Sequence, residues 1–221
     1  MHNLYPLRRL TNCWWKLAFL PLVLVSPGSL MRAAAQTSPA PADGLATNDF
    51  TGAIQAGVQT LSIELGTVSG LKIFGGSQYH DLALASISYG QVLGPVLGAD
   101  HWYGGNYELR LEAFGGSQYS PTTDFVFGVT PHLRYDFATG TRWVPFVDAG
   151  AGLTATDISR PDLSNTFEFN LQVGAGLHCR LSPHWALTVE ERYFHISDAG
   201  LTHPNHGLNG AMGMIGLTRF F

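Results

Sequence analysis

Between residues 166 and 180 apolar and polar side chains alternate without a break. Phe167, Phe169, Leu171, Val173, Ala175, Leu177 and Cys179 fall on one face, and Glu168, Asn170, Gln172, Gly174, Gly176, His178 and Arg180 on the other. A period of two predicts a β-strand, and the run is longer than the roughly 5–6 residues of a typical soluble strand. Strands that cross a bilayer at their usual tilt need about 9–11 residues. The alternation recurs in 107–114, 124–137, 143–153 and 185–197, and more weakly in 58–68 and 82–92. A last strand runs into the terminus as GMIGLTRFF, with Ile215, Leu217 and Phe221 on its apolar face.

The second face is what separates a membrane barrel from a soluble sheet. Glu108, Arg110 and Glu112 in one strand and Asp124, His132, Arg134 and Asp136 in the next share the polar side. Charges of both signs are costly in a dry core but pair readily in a narrow lumen, while the apolar face meets lipid. The fold predicted is all-β, an eight-stranded antiparallel transmembrane β-barrel over residues 58–221. Two other readings share the alternation: a soluble β-sandwich, and a lipocalin-like barrel whose apolar faces point inward. Residues 138–142 and 181–184 read as short turns, and 69–81, 115–123, 156–165 and 198–209 as longer loops at the opposite end. The 93–105 stretch is long where a short turn is expected. GGSQY occurs at 75–79 and again at 115–119, both assigned to extracellular loops. Pro131 and Pro145 have no N–H for a ladder and are expected near strand ends.

The N-terminus changes the destination of the chain. Arg8, Arg9 and Lys16 precede an apolar run, Leu17–Val25, and Ala33–Ala35 offer small residues for cleavage. Residues 1–35 are therefore expected to be a signal peptide, the run being too short to span hydrocarbon as a helix. Residues 36–57 read as a flexible periplasmic leader, and the barrel is expected in the cell outer membrane. Four of the 12 basic residues and none of the 16 acidic ones leave with the first 35 residues, so the remainder is strongly acidic. Nucleic acid is thereby excluded as a partner. Cys179 stands alone once Cys13 is removed, so neither a disulfide framework nor a CxxC metal pattern is present.

Candidate chemistry concentrates in Glu190–Asn209, EERYFHISDAGLTHPNHGLN. Trp185, Leu187, Val189, Glu191, Tyr193, His195 and Ser197 share the lipid-side face of strand seven. A polar pair there loses hydration and gains no apolar contact. Residues two apart lie about 6.6 Å from one another along a strand, so an imidazole can take a proton from the hydroxyl and make it a nucleophile. A nucleophile on the outside of a barrel has lipid esters as its natural substrates. The plainer reading of His-x-Ser is an aqueous strand end. His203 and His206 suggest a metal site only faintly, because a third ligand is missing.

Glu190-x-Arg192-x-x-His195-Ile196-Ser197-x-Ala199-Gly200, followed by Pro204-Asn205-x-Gly207, resembles the lipid A 3-O-deacylase family (PagL-like, related to acyloxyacyl hydrolases). Thr130–Tyr135, Val144–Gly152 and Val173–Leu177 add to the likeness, which spans roughly 60–221. The resemblance implies an outer-membrane esterase that removes the 3-O-linked acyl chain of lipid A with no metal or organic cofactor. It implies Ser197 as nucleophile, His195 as general base and Asn205 as an oxyanion donor. Alternation puts Glu190 and Arg192 in the lumen as a structural ion pair. Two positions depart from the family pattern. The acidic third member of its triad aligns with Asn209, which can orient the ring but not stabilise imidazolium as a carboxylate does. Its Asn after the serine is Asp198. Glu191 is on the His195 face but four residues away. The expected partners are lipid A (lipopolysaccharide) and the outer-membrane lipids, and a homodimer is compatible with the reading. The competing reading is a non-catalytic small barrel for adhesion or membrane stability.

Overall fold

The computed structural model describes residues 54–159 and 161–221. The expected signal peptide and the leader as far as residue 53 lie outside the described residues. Residues 54–57 turn into the first strand, with Ile54 buried and Gly57 N donating to Val92 O at 2.9 Å.

Eight strands follow in chain order: β1 Gln59–Gly70, β2 Asp81–Val92, β3 Gly105–Ser120, β4 Asp124–Phe137, β5 Trp143–Thr156, β6 Phe167–Ser182, β7 Trp185–Ser197 and β8 Leu208–Phe220. Each pairs antiparallel with its neighbours, and β8 pairs back onto β1, closing the barrel. Closure leaves no sheet edge, the condition for a sheet to survive in hydrocarbon.

The period of two holds around the wall. Leu65, Ile87, Leu109, Leu133, Val147, Val173, Val189 and Ile215 are all exposed, and the residues between them are buried in the lumen. The apolar faces therefore point outward, which removes the lipocalin-like alternative. Aromatic side chains flank this apolar belt. Tyr107, Tyr135, Trp143, Trp185 and Phe221 mark one end and Tyr119, Phe125, Phe127, Phe167 and Phe169 the other, the girdle arrangement of outer-membrane barrels.

The lumen is packed. Midway along, Arg110 meets Glu64 at 2.6 Å, Arg134 meets Asp148 at 3.0 Å and Glu190 at 2.9 Å, and Arg192 meets Glu112 at 2.8 Å and also Glu190. The Glu190–Arg192 pair is thus part of a larger network. Carboxylate oxygens of Glu64, Glu112 and Glu190 lie within 4.8 Å of one another. Guanidinium groups already interleave them, doing what a cation would. Above the network an apolar plug fills the extracellular half, built from Val68, Leu82, Leu84, Phe114, Val126, Phe194, Ile196, Leu208, Met212 and Met214 and capped by Ile158 and Leu163.

Two expectations need correction, and the long 93–104 connection is placed. Residues 115–119 are not loop: β3 continues to Ser120, so only the first GGSQY lies in a connection. Gly115 opposes Phe127, and its missing side chain leaves room for that ring. Pro131 sits in the middle of β4, not near its end. It pairs with Leu111 of β3, whereas the β4–β5 register skips Thr130 and Pro131, which places the absent N–H on the β5 side. Finally, the long 93–104 connection folds back on the barrel exterior. Leu97 bridges Gly105, and Tyr135 donates its hydroxyl to Tyr103 O at 2.6 Å.

Candidate active site

Strands β7 and β8 form a hairpin whose long connection, 198–207, stands at the extracellular end. In β7 Phe194 and Ile196 point into the plug, so Tyr193, His195 and Ser197 must face out. In the β7–β8 register His195 lies directly opposite Asn209. A hydrogen-bonded row results. Ser197 Oγ is 2.8 Å from His195 Nε2, and His195 Nδ1 is 2.8 Å from Asn209 Oδ1. Asn209 Nδ2 donates to Ile73 O, from the β1–β2 connection, at 2.9 Å. A hydroxyl, an imidazole and an amide are thus in contact, an arrangement compatible with acyl transfer.

The loops around this row are held by two carboxylates. Asp198, directly after the serine, is buried and faces away from the hydroxyl. Its side chain accepts from Gly200 N at 2.9 Å, Thr202 N at 2.7 Å, Asn165 Nδ2 at 3.2 Å and the Thr202 hydroxyl. Burial pushes its carboxyl up, but the Thr202 and Gly200 hydrogen bonds outweigh that and hold it below the usual range. Asp198 is the hub of the tight bend through Ala199 (φ 57°) and Gly200 (φ 82°) that carries the chain off the barrel. Asp162 plays the same part between loops. It accepts from Ser77 Oγ at 2.6 Å and faces His80 Nε2 at 2.9 Å, while its backbone O takes Gly207 N at 2.9 Å.

Gly207 forms the wall beside the His195 ring. Its φ is +77°, and a Cβ there would lie 2.9 Å from His195 Cε1 and 3.6 Å from Ser197 Cβ. The role of Gly207 was hidden in the sequence, where only its match to the resemblance singled it out.

The remaining residues named from sequence fall as follows. Asn205 is on the same connection, but its amide N–H groups are engaged with Glu168 Oε1 at 3.0 Å, Glu168 Oε2 at 3.1 Å and Ser164 Oγ at 3.2 Å. Its Oδ1 is buried without a hydrogen-bond partner. Glu191 faces outward beside Gly213, on the row two below Tyr193 and four below His195. His206 Nδ1 lies 3.5 Å from Asp162 Oδ1. Among the described residues, neither His203 nor His206 joins a group of three ligating side chains. A hollow lies elsewhere, at the periplasmic end under the 93–104 connection, lined by Leu97, Tyr103, Tyr107, Leu133 and Tyr135. Its lining holds no serine, cysteine or histidine.

Residues 85–218 match the family model described as lipid A 3-O-deacylase (PagL). The solved structure of the outer membrane enzyme PagL is 19% identical, covers 72% of this chain and 97% of its own, and superposes with a TM-score of 0.52. Neisserial surface protein A (NspA) is 16% identical, covers 75% of this chain and 96% of its own, with a TM-score of 0.51. At these identities the likeness is one of fold. A comparison with curated proteins found no match.

Proposed function

From the premise that this outer-membrane β-barrel belongs to the lipid A 3-O-deacylase (PagL) family, we propose that it hydrolyses the ester at the 3-position of lipid A. The Ser197–His195–Asn209 row on the outward face of the β7–β8 hairpin carries the reading. Ser197 Oγ attacks the ester carbonyl while its proton passes to His195 Nε2. The tetrahedral intermediate collapses to an acyl-enzyme as the sugar 3-hydroxyl leaves with that proton. Water, deprotonated by the same imidazole, then releases the 3-hydroxy fatty acid and restores the serine. Asn209 holds the ring. Asn205 reaches the oxyanion only by turning its amide away from Glu168 and Ser164, a rearrangement that substrate must induce. The outward aim of the hydroxyl fits a substrate lying in the outer leaflet, and no step calls for a metal or organic cofactor. We also propose that residues 1–35 are a cleaved signal peptide and 36–57 a periplasmic leader.

The amide at 209 favours one competing reading, a barrel that keeps the fold without the activity. Mass spectrometry of lipid A from cells expressing the protein separates the two. The expected result is lipid A lighter by one hydroxyacyl chain, with the change abolished by Ser197→Ala. Unchanged lipid A beside a correctly folded wild-type barrel would favour the non-catalytic reading.

A further inference from the structure

We propose that this site is built around a neutral amide, and that Tyr193 and the Ile73 carbonyl are the positioning groups that let Asn209 stand where a carboxylate would otherwise orient the base. The proposal deepens the Ser197–His195 reading and rests on it for its catalytic consequences. A backbone carbonyl can only accept, so the Asn209 atom 2.9 Å from Ile73 O is the amide nitrogen. That assignment turns Oδ1 the other way, where two groups meet it: His195 Nδ1 at 2.8 Å and the Tyr193 hydroxyl at 2.5 Å. An amide oxygen only accepts. Nδ1 therefore carries the ring proton, Nε2 keeps its lone pair, and that lone pair faces Ser197 Oγ at 2.8 Å. The tautomer a general base needs is thus selected by a carbonyl in the β1–β2 connection, on the far side of Asn209.

A carboxylate at this position would set an acceptor against the Ile73 carbonyl. Two acceptors in contact, largely shielded from water, repel unless one is protonated. Tyr193 completes the cradle. Its hydroxyl fills the second lone pair of Oδ1, its ring lies 11° from parallel with the His195 ring, and Phe74 meets it edge-on at 6.5 Å. Because the hydroxyl is spent on Asn209, Tyr193 acts through that residue and not on the ester.

The test uses the full barrel folded in detergent, a p-nitrophenyl acyl ester for kcat and KM, and 15N NMR of the histidine rings. Asn209→Asp is expected to lower kcat at pH 7 by about ten-fold, with KM unchanged. Tyr193→Phe is expected to lower kcat by roughly three- to ten-fold, and to do nothing further in an Asn209→Ala background, where the hydroxyl has lost its partner. His195 should be the Nδ1–H tautomer in the wild type and a mixture in Asn209→Ala. A faster Asn209→Asp enzyme, an undiminished Tyr193→Phe effect in the Asn209→Ala background, or a wild-type Nε2–H tautomer would overturn the proposal. An inert wild type that still shows the Nδ1–H tautomer counts against the esterase reading alone and upholds the positioning.

Discussion

The β3–β4 and β7–β8 hairpins are built to one plan and differ on one patch. Both send acids and arginines inward: Glu108, Arg110, Glu112, His132 and Arg134 from the first, Glu190 and Arg192 from the second. Their outward rows share an apolar stretch. The first pair runs Tyr107–Tyr135, Leu109–Leu133, Leu111–Pro131, Ala113–Val129 and Gly115–Phe127, with Ser117 opposite Phe125 as its last outward row. The second carries Arg219 opposite Trp185 at its periplasmic end, is apolar at Leu187–Leu217 and Val189–Ile215, then changes to Glu191–Gly213, Tyr193–Ala211 and His195–Asn209. Alternation alone fixes which way a side chain points, whatever its chemistry. Polar groups facing lipid are a cost to the fold. In the upper rows that cost is met by a closed chain of hydrogen bonds from Ser197 to Ile73. The wall of the first hairpin manages without such a row.

The largest effects should come from exchanging the rules of the two faces. His195→Leu puts an apolar side chain where the first hairpin already has them. Ester hydrolysis should fall by at least about 10³-fold, with the urea midpoint of the detergent-folded barrel scarcely changed. Arg192→Leu does the reverse. It strips a partner from Glu112 and Glu190 inside the closed network and should cost about 3–5 kcal/mol of stability, read as loss of the heat-modifiable folded band. If both variants lost folding, or neither did, the division between a structural lumen and a chemical exterior would not hold.

The same division explains what could be read from the sequence. The eight strands, their facing and the outward aim of His195 and Ser197 were legible, because a period of two carries direction. Asn209 is named through the resemblance, and the β7–β8 register then sets it directly opposite His195. What stayed hidden depends on register between distant strands. The extracellular half of the lumen closes with Val68, Phe114, Phe194 and Met212, which appear in sequence only as breaks in a polar row. Ile73 reaches Asn209 because β8 closes on β1, a contact 136 residues apart in the chain. The engagement of Asn205 with Glu168 depends on how the 198–207 connection folds over the start of β6, and no periodicity encodes that.

A smaller effect should come from Gly207, which lies on the boundary between structure and chemistry. An alanine there meets both a left-handed φ of +77° and the imidazole edge 2.9 Å away. The backbone strain costs about 1 kcal/mol, borne by a loop end, and displacement of His195 away from Ser197 should lower kcat by about ten-fold. KM should change little, because the outward surface is untouched. Equal activity in Gly207→Ala and wild type would mean that the loop does not wall the base.

The smallest expected effect concerns acid, and it should appear in the loops and not in the strands. Asp162 ties the β1–β2 connection, through Ser77 and His80, to the 198–207 connection, through Gly207. Burial pushes its carboxyl up, but hydrogen bonds from Ser77 and His80 outweigh this and hold it below the usual range. A carboxyl whose folded value lies below its unfolded one, near 3.9, stabilises the fold fully above the unfolded value. That stabilisation is lost as pH falls through the folded value. Amide exchange at Ser77 and Gly207 should therefore quicken only below about pH 4, by an amount worth no more than roughly 1 kcal/mol. The ladder amides of β3 and β4 should stay protected. Asp162→Asn should show the faster loop exchange already at pH 7 and lack the acid step. An acid step of equal size in that variant would assign the loop clamp to another group.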